Sequence, residues 1–107
     1  MTAPNAELAW RVLDQIDAHP ELWNQMKWTQ ETDCGTAACF AGWACLLSGD
    51  KEPFAFSVSR RAVELLGIEY DESGETDGHE LFEGTNDRIA LGWLVAEYFG
   101  PRPAVTS

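Results

Sequence analysis

Positively charged side chains are scarce in this chain of 107 residues: seven Lys and Arg stand against 18 Asp and Glu, for a net charge of −11. Phosphate backbones and anionic membrane surfaces repel such a protein, so we expect it to bind neither nucleic acid nor membranes directly. The acidic composition instead favours a partner protein with a basic surface, although it can also serve solubility alone.

Long apolar runs are missing as well. No stretch approaches the roughly 18 residues of a membrane span. The opening MTAPNAELAWRVLDQ carries acidic residues where a signal peptide needs an apolar run. We therefore expect a cytoplasmic protein, in which thiols stay reduced. Its three cysteines are an odd number, which excludes a complete set of disulfides.

Sequence motifs of common enzymes are also absent. The stretch GTAACFAG lacks the lysine that a nucleotide-binding loop needs, and no predicted strand leads into it. No Ser-His-Asp set is supported by a motif. We therefore expect a non-enzymatic protein without a cofactor.

Apolar residues at helical spacing predict a helix over residues 5–18 that starts near Pro4. Its buried stripe consists of Leu8, Ala9, Val12, Leu13 and Ile16. PELWNQM predicts a short helical piece, and Trp23 and Trp28 would then pack as anchors. The polar TQETDCG predicts a loop.

The second half of the chain predicts two more helices. Ser57 caps VSRRAVELLG, and Thr85 or Asn86 caps DRIALGWLVAEYF. Between them, HELF predicts a short turn that buries Leu81 and Phe82.

The stretch CGTAACFAGWACLL, residues 34–47, contains all three cysteines and no charge. Thr36 is a candidate N-cap and Gly49 a candidate helix stop. A helix that is apolar on all sides is a buried helix, so we expect this one at the centre of the domain.

The predicted fold class is therefore all-α. It is a compact single-domain bundle of about four main helices, with one or two short helical turns, around the buried central helix. Residues 1–100 would form the domain and residues 101–107 a flexible tail. The alternating FAFSV leaves a small hairpin open as an alternative.

The cysteines allow two chemical alternatives. A zinc site would need ligands close together, but Cys39 and Cys45 lie six residues apart and point about 120° away from each other on a helix. Cys34 could act as a nucleophile in a small cysteine-dependent enzyme, with His19 or His79 as its base. The simpler interpretation is that these thiols are buried and inert.

The loop EYDESGETDGHE, residues 69–80, aligns with a twelve-residue calcium-binding loop. The candidate ligands are Glu69, Asp71, Ser73, Asp77 and Glu80. Glu69 and Thr76 depart from the pattern, because the first position expects Asp and the eighth an apolar residue. We therefore expect a solvated acidic loop and no metal, with calcium binding as the alternative.

Eight acids fall between Glu69 and Asp87 without an intervening Lys or Arg, and this cluster predicts a surface for a basic partner protein. An exposed aromatic residue would complete the surface. The candidate interaction residues are Trp10, Tyr70, Asp71, Glu72, Glu75, Asp77, Glu80, Glu83 and Asp87.

The segments ELW, CGTAACFAGWACLLSG, AVELLGIE and ELF give the chain a family resemblance over about residues 5–99. It resembles small actinobacterial and actinophage proteins with a Cys-Gly-Thr-x-x-Cys-x-Ala-Gly motif, a family without an established activity. The resemblance implies a compact, largely helical domain in a cytoplasmic or phage setting. It carries over no catalytic residue. We therefore expect a small acidic interaction protein that binds, and in a phage setting inhibits, a host protein.

Overall fold

Four α-helices and one β-hairpin make up the fold of the computed structural model, which describes residues 4–27, 29–33, 35–49, 55–72 and 78–102 and, for residues 55–57, the backbone alone. The elements are α1 (Ala6–Ala18), a first 3-10 turn (Pro20–Leu22), β1 (Thr29–Thr32), β2 (Gly35–Ala38), α2 (Phe40–Leu47), α3 (Ala55–Leu66), a second 3-10 turn (Glu80–Phe82) and α4 (Arg88–Phe99).

The all-α prediction is wrong, because part of the predicted loop TQETDCG is a β-strand. β1 pairs antiparallel with β2, from Thr29 opposite Ala38 to Thr32 opposite Gly35. The Thr32 hydroxyl donates a hydrogen bond of 2.7 Å to the Gly35 carbonyl, and Gly35 adopts a φ of 122° that favours glycine. Two β-branched threonines at the ends of β1 suit a strand, and this signal outweighs the polarity of the segment.

The hairpin also moves the start of the central helix. Residues 35–38 belong to β2, so α2 begins at Phe40 and not after Thr36. The actual N-cap is Cys39, whose Sγ accepts a hydrogen bond of 3.5 Å from the Gly42 N–H. The start of α3 also differs by three residues, because the helix begins at Ala55 and not after Ser57. The start of α4 shifts least, since Asp87 and not Thr85 or Asn86 is its N-cap.

The burial of the central helix is confirmed. All residues from Phe40 to Cys45 are buried, and α2 packs against α1, α3 and the second 3-10 turn. The predicted α1 stripe is buried as a whole, and the Asn5 side chain caps α1 by accepting from the Leu8 N–H at 3.1 Å. Each large apolar side chain in this core contributes about 1.5–3 kcal/mol on burial.

Two exposed ion pairs connect α1 with the start of α4 and with the residues that follow α4. Arg88 forms a two-pronged pair with Asp17, at 2.8 and 2.9 Å, and Arg102 contacts Asp14 at 2.8 Å. The Arg88 hydrogen bonds lower the pKa of Asp17. Arg102 lies within the predicted flexible tail, and residues 103–107 lie outside the described residues.

The longest of the described helices, α1, has 13 residues, and none of the helices in that part of the chain is both long and apolar enough to cross a bilayer.

Candidate functional site

α4 presents an apolar face to solvent. One side of the helix faces the core with its buried residues Leu91, Val95 and Phe99. On the other side, Trp93 is 77% exposed and Ile89 is 69% exposed. These two residues are four apart, so they lie on adjacent turns of the same face.

Carboxylates surround this exposed tryptophan. Trp93 lines a shallow groove of about 390 Å³, which we call the Trp93 groove, together with Glu80, Glu83 and Glu97. Leu94 and Ala90 supply its apolar floor. The single basic residue of α4, Arg88, is turned towards Asp17 on α1. The groove therefore combines a large apolar anchor with a negative rim.

A second, larger groove of about 920 Å³, which we call the His79 groove, lies between the C-terminal end of α3 and the side chains of His79 and Tyr98. The ring of Tyr70 also lines it. Its carboxylates are Glu64, Glu69, Asp71 and Glu72. No Lys or Arg is among the described residues that line this groove.

The Tyr98–Glu80 hydrogen bond joins the two grooves. Tyr98 lines the His79 groove, and Glu80 lines the Trp93 groove. The Tyr98 hydroxyl donates to Glu80 Oε2 at 2.7 Å. This bond, followed by partial burial, raises the pKa of Tyr98 to about 12. Tyr98 therefore stays a neutral hydrogen-bond donor throughout the physiological pH range.

Gly78 sets the wall of the His79 groove. Its φ of 102° is unfavourable for other residues, and a Cβ atom there would lie 2.7 Å from the Tyr70 ring. Its carbonyl accepts from the Asp71 N–H at 2.7 Å, which ties the two sides of the acidic loop together. Glycine at this position therefore lets the Tyr70 ring approach the backbone next to His79.

His79 is the buried member of this groove, with 7% of its surface exposed. Its Nδ1 accepts a hydrogen bond of 3.2 Å from the Leu81 N–H and so caps the second 3-10 turn. Tyr98 packs edge-on against the ring, with 4.6 Å between centroids. Burial lowers the pKa of His79, while the negative charges of Glu80 and Asp71 oppose that shift. The ring is therefore neutral at pH 7.

The two predicted aromatic candidates are already engaged within the protein. Trp10 donates from Nε1 to the Gly100 carbonyl at 3.2 Å, and the Arg102 guanidinium lies 4.8 Å from its ring centre. Tyr70 carries Arg60 over its ring at 4.2 Å. Both are half-buried, so neither is the exposed anchor that the sequence analysis sought.

The structure distributes the predicted acids over both grooves. Glu69, Asp71 and Glu72 line the His79 groove, while Glu80 and Glu83 line the Trp93 groove. Asp87 lines neither among the described residues, because its side chain accepts from the Ala90 N–H at 2.8 Å as the N-cap of α4. Three candidates lie outside the described residues: Ser73, Glu75 and Asp77.

The cysteine alternatives receive no support from the two described thiols. Cys39 and Cys45 are buried in the core, and Cys45 Sγ lies 3.8 Å from the Val58 carbonyl oxygen. Cys34, the candidate nucleophile, and Trp28, the second predicted anchor, lie outside the described residues. Within residues 4–27, 29–33, 35–49, 55–72 and 78–102, no three His, Cys, Asp or Glu side chains are grouped suitably for a metal ion.

Sequence reasoning missed four residues of this region: Glu64, Trp93, Glu97 and Tyr98. It named His79 only as a candidate base for Cys34. One signal was available for Trp93. The segment RIALGWLVAEYF is apolar on nearly every side, and a helix near the end of a small domain has fewer elements to cover it.

No family model, curated protein or solved structure matches this chain. The site must therefore be interpreted from its own geometry and chemistry.

Proposed function

We propose that this protein is a small acidic interaction protein, without enzymatic activity, that binds a basic partner protein through the Trp93 groove. The observation that carries the proposal is the 77% exposure of Trp93 in a groove that Glu80, Glu83 and Glu97 also line. Tryptophan, like tyrosine and arginine, is enriched among energetically dominant interface positions. An exposed apolar patch with a polar rim is typical of a protein-binding surface.

The partner that fits this groove is a basic amphipathic segment. Its apolar side chains would cover Trp93 and Ile89, and its Lys or Arg side chains would pair with the glutamates at the rim. A second copy of this chain fits poorly, because its own groove would bring the same carboxylates against Glu83 and Glu97. The net charge of −11 opposes self-association further.

The setting of the interaction is also part of the proposal. The resemblance to actinobacterial and actinophage proteins supports a host protein as the target, with inhibition as the consequence of binding. The buried thiols Cys39 and Cys45 are compatible with the reducing cytoplasm.

The direct test is binding to a synthetic helical peptide with a Leu face and a Lys face, measured by isothermal titration calorimetry. We expect Trp93→Ala to weaken binding at least about tenfold, which corresponds to 1.4 kcal/mol. Met26→Ala is the matched control, because Met26 is 79% exposed but is not one of the described residues that line the groove. Equal affinities for the wild type and Trp93→Ala would contradict the proposal.

The role of the rim needs a charge-matched comparison. The double variant Glu83→Gln, Glu97→Gln should bind the peptide more weakly and with a smaller dependence on salt concentration. The control double variant, Glu21→Gln with Asp33→Asn, removes the same charge from exposed positions outside the groove. Equal weakening by both double variants would mean that net charge alone drives binding.

A further inference from the structure

His79 is buried as a residue, but its second ring nitrogen is a hydrogen-bond donor that the described part of the chain does not use. Because Nδ1 accepts from the Leu81 N–H, the neutral ring carries its proton on Nε2. Among the described residues, Nε2 has no hydrogen-bond partner, although only 7% of the surface of His79 is exposed.

This donor faces the groove. Within the described part of the chain, every side-chain N or O atom that is fully buried has a partner. Nε2 has none, so it must reach solvent, and the space that His79 lines is the His79 groove. The rest of the ring is covered by Tyr98 at 4.6 Å and Phe82 at 5.9 Å between ring centres.

The remaining walls favour a cation. Glu64, Glu69, Asp71 and Glu72 contribute carboxylates, and Tyr98 contributes an aromatic ring, whereas the Tyr70 ring already carries Arg60. Carboxylates and aromatic faces both attract guanidinium and ammonium groups. The protein shows this chemistry at the rim, where the Arg60 guanidinium lies 4.2 Å from the Tyr70 ring centre and 4.0 Å from Glu72.

We propose that the His79 groove binds an organic cation, a guanidinium or ammonium group, that carries a neutral hydrogen-bond acceptor for His79 Nε2. The acceptor must be neutral, because a carboxylate on the ligand would be repelled by the carboxylates that line the groove. Two sources have this chemistry: an Arg or Lys residue inside a protein chain, with its backbone carbonyl, and a small hydroxyl-bearing amine.

The test is an NMR titration that follows the ring protons of His79, Tyr70 and Tyr98 at constant ionic strength. The probes are N-acetylarginine amide, ethanolamine, guanidinium chloride as a cation without an acceptor, and N-methylacetamide as an acceptor without a cation. We expect saturable shifts with at least one of the first two probes and weaker binding of the last two. A response to N-acetylarginine amide alone assigns the site to a protein chain, and a response to ethanolamine alone assigns it to small amines.

Two variants separate the donor from the carboxylates. His79→Asn keeps an acceptor for the Leu81 N–H but has no atom at the position of Nε2, because its amide N–H donors lie closer to the backbone. It should therefore lower affinity about two- to tenfold, which is the contribution of one hydrogen bond. Glu69→Gln removes an exposed lining carboxylate and should weaken the binding of every cation. Asp33→Asn, at the hairpin turn, is the matched control and should bind like the wild type.

Three results would overturn the inference. The first is the absence of shifts with all four probes at concentrations up to tens of millimolar. The second is that guanidinium binds as tightly as N-acetylarginine amide and ethanolamine. The third is unchanged affinity in a folded His79→Asn variant. If His79→Asn does not fold, Glu69→Gln against Asp33→Asn decides the question. The Trp93 groove is a separate site with a separate probe, so failure here leaves the peptide-binding proposal standing, and the converse also holds.

Discussion

The same dipeptide, Gly-Trp, occurs in the middle of two apolar helices with opposite results. In α2, Trp43 is 9% exposed, and its Nε1 donates to the Leu22 carbonyl at 2.9 Å. In α4, Trp93 is 77% exposed and has no hydrogen-bond partner among the described residues. The first 3-10 turn meets Trp43, whereas nothing in the described part of the chain covers Trp93. Local sequence sets the helix in both places, and only the surroundings decide whether the tryptophan is structural or available to a partner.

Truncation of each tryptophan gives the largest expected contrast. Trp43→Ala should lower the free energy of unfolding by about 3–5 kcal/mol, because it leaves a cavity and an unpaired carbonyl. Trp93→Ala should change it by no more than about 0.5 kcal/mol, because the side chain lies in solvent. Urea denaturation followed by circular dichroism measures both values. A large loss for Trp93→Ala would show that the residue is structural after all.

The comparison also shows what could be predicted from the sequence. The α1 stripe was predictable because five apolar residues follow the helical period, and the burial of α2 followed from a stretch without charge. The hairpin was not predicted, because β1 is short and polar and depends on its pairing with β2. Most residues of β2 had been assigned to the central helix. For the same reason the helix start was placed at Thr36 and not at Cys39.

The candidate site was less predictable than the fold. The acidic cluster was visible in the sequence, but its division into two grooves depends on contacts between distant segments, such as Tyr98 with Glu80. The exposed anchor was predicted at Trp10 or Tyr70. Arg102 lies over the ring of Trp10, and Arg60 lies over the ring of Tyr70. Burial of one tryptophan and exposure of another is a property of the whole packing arrangement, which the local pattern does not contain.

The second prediction concerns the buried residue His79 and the dependence of folding stability on acidic pH. Its pKa in the folded state is below the usual 6.5 because of burial, so the unfolded chain binds the proton more readily. The stability that comes from the neutral ring is complete above pH 6.5 and is lost as the pH falls from 6.5 to the lower pKa of the folded state. The groups that face the ring are Glu80 and Asp71, whose charges reduce the shift, and Tyr98.

The measurement is the free energy of unfolding of the wild type, His79→Asn and His19→Asn between pH 5 and pH 8. His79→Asn should show a smaller decrease of stability towards acidic pH than the wild type. His19→Asn, which removes an exposed histidine beside Glu21, is the comparison variant. Identical pH profiles for the wild type and His79→Asn would contradict the assignment of the buried neutral ring.

The smallest expected effect concerns the bond between the two grooves. Glu80→Gln should move the pKa of Tyr98 from about 12 back towards its usual 10.0, because the carboxylate that accepts its proton is gone. Ultraviolet titration of tyrosinate, with Tyr98→Phe to identify the transition, reports this pKa. An unchanged Tyr98 transition in Glu80→Gln would mean that the hydrogen bond does not form in solution.

The central claim is that Trp93 is the anchor for a basic amphipathic segment. Its most direct test is the response of the indole N–H NMR signals to the Lys–Leu peptide. Each signal is assigned by single substitution, and the spectra are recorded at low and at high salt. We predict that the Trp93 signal shifts on addition of the peptide, that the Trp43 signal does not move, and that high salt weakens the response. A Trp93 signal that stays in place while the peptide binds would contradict the account.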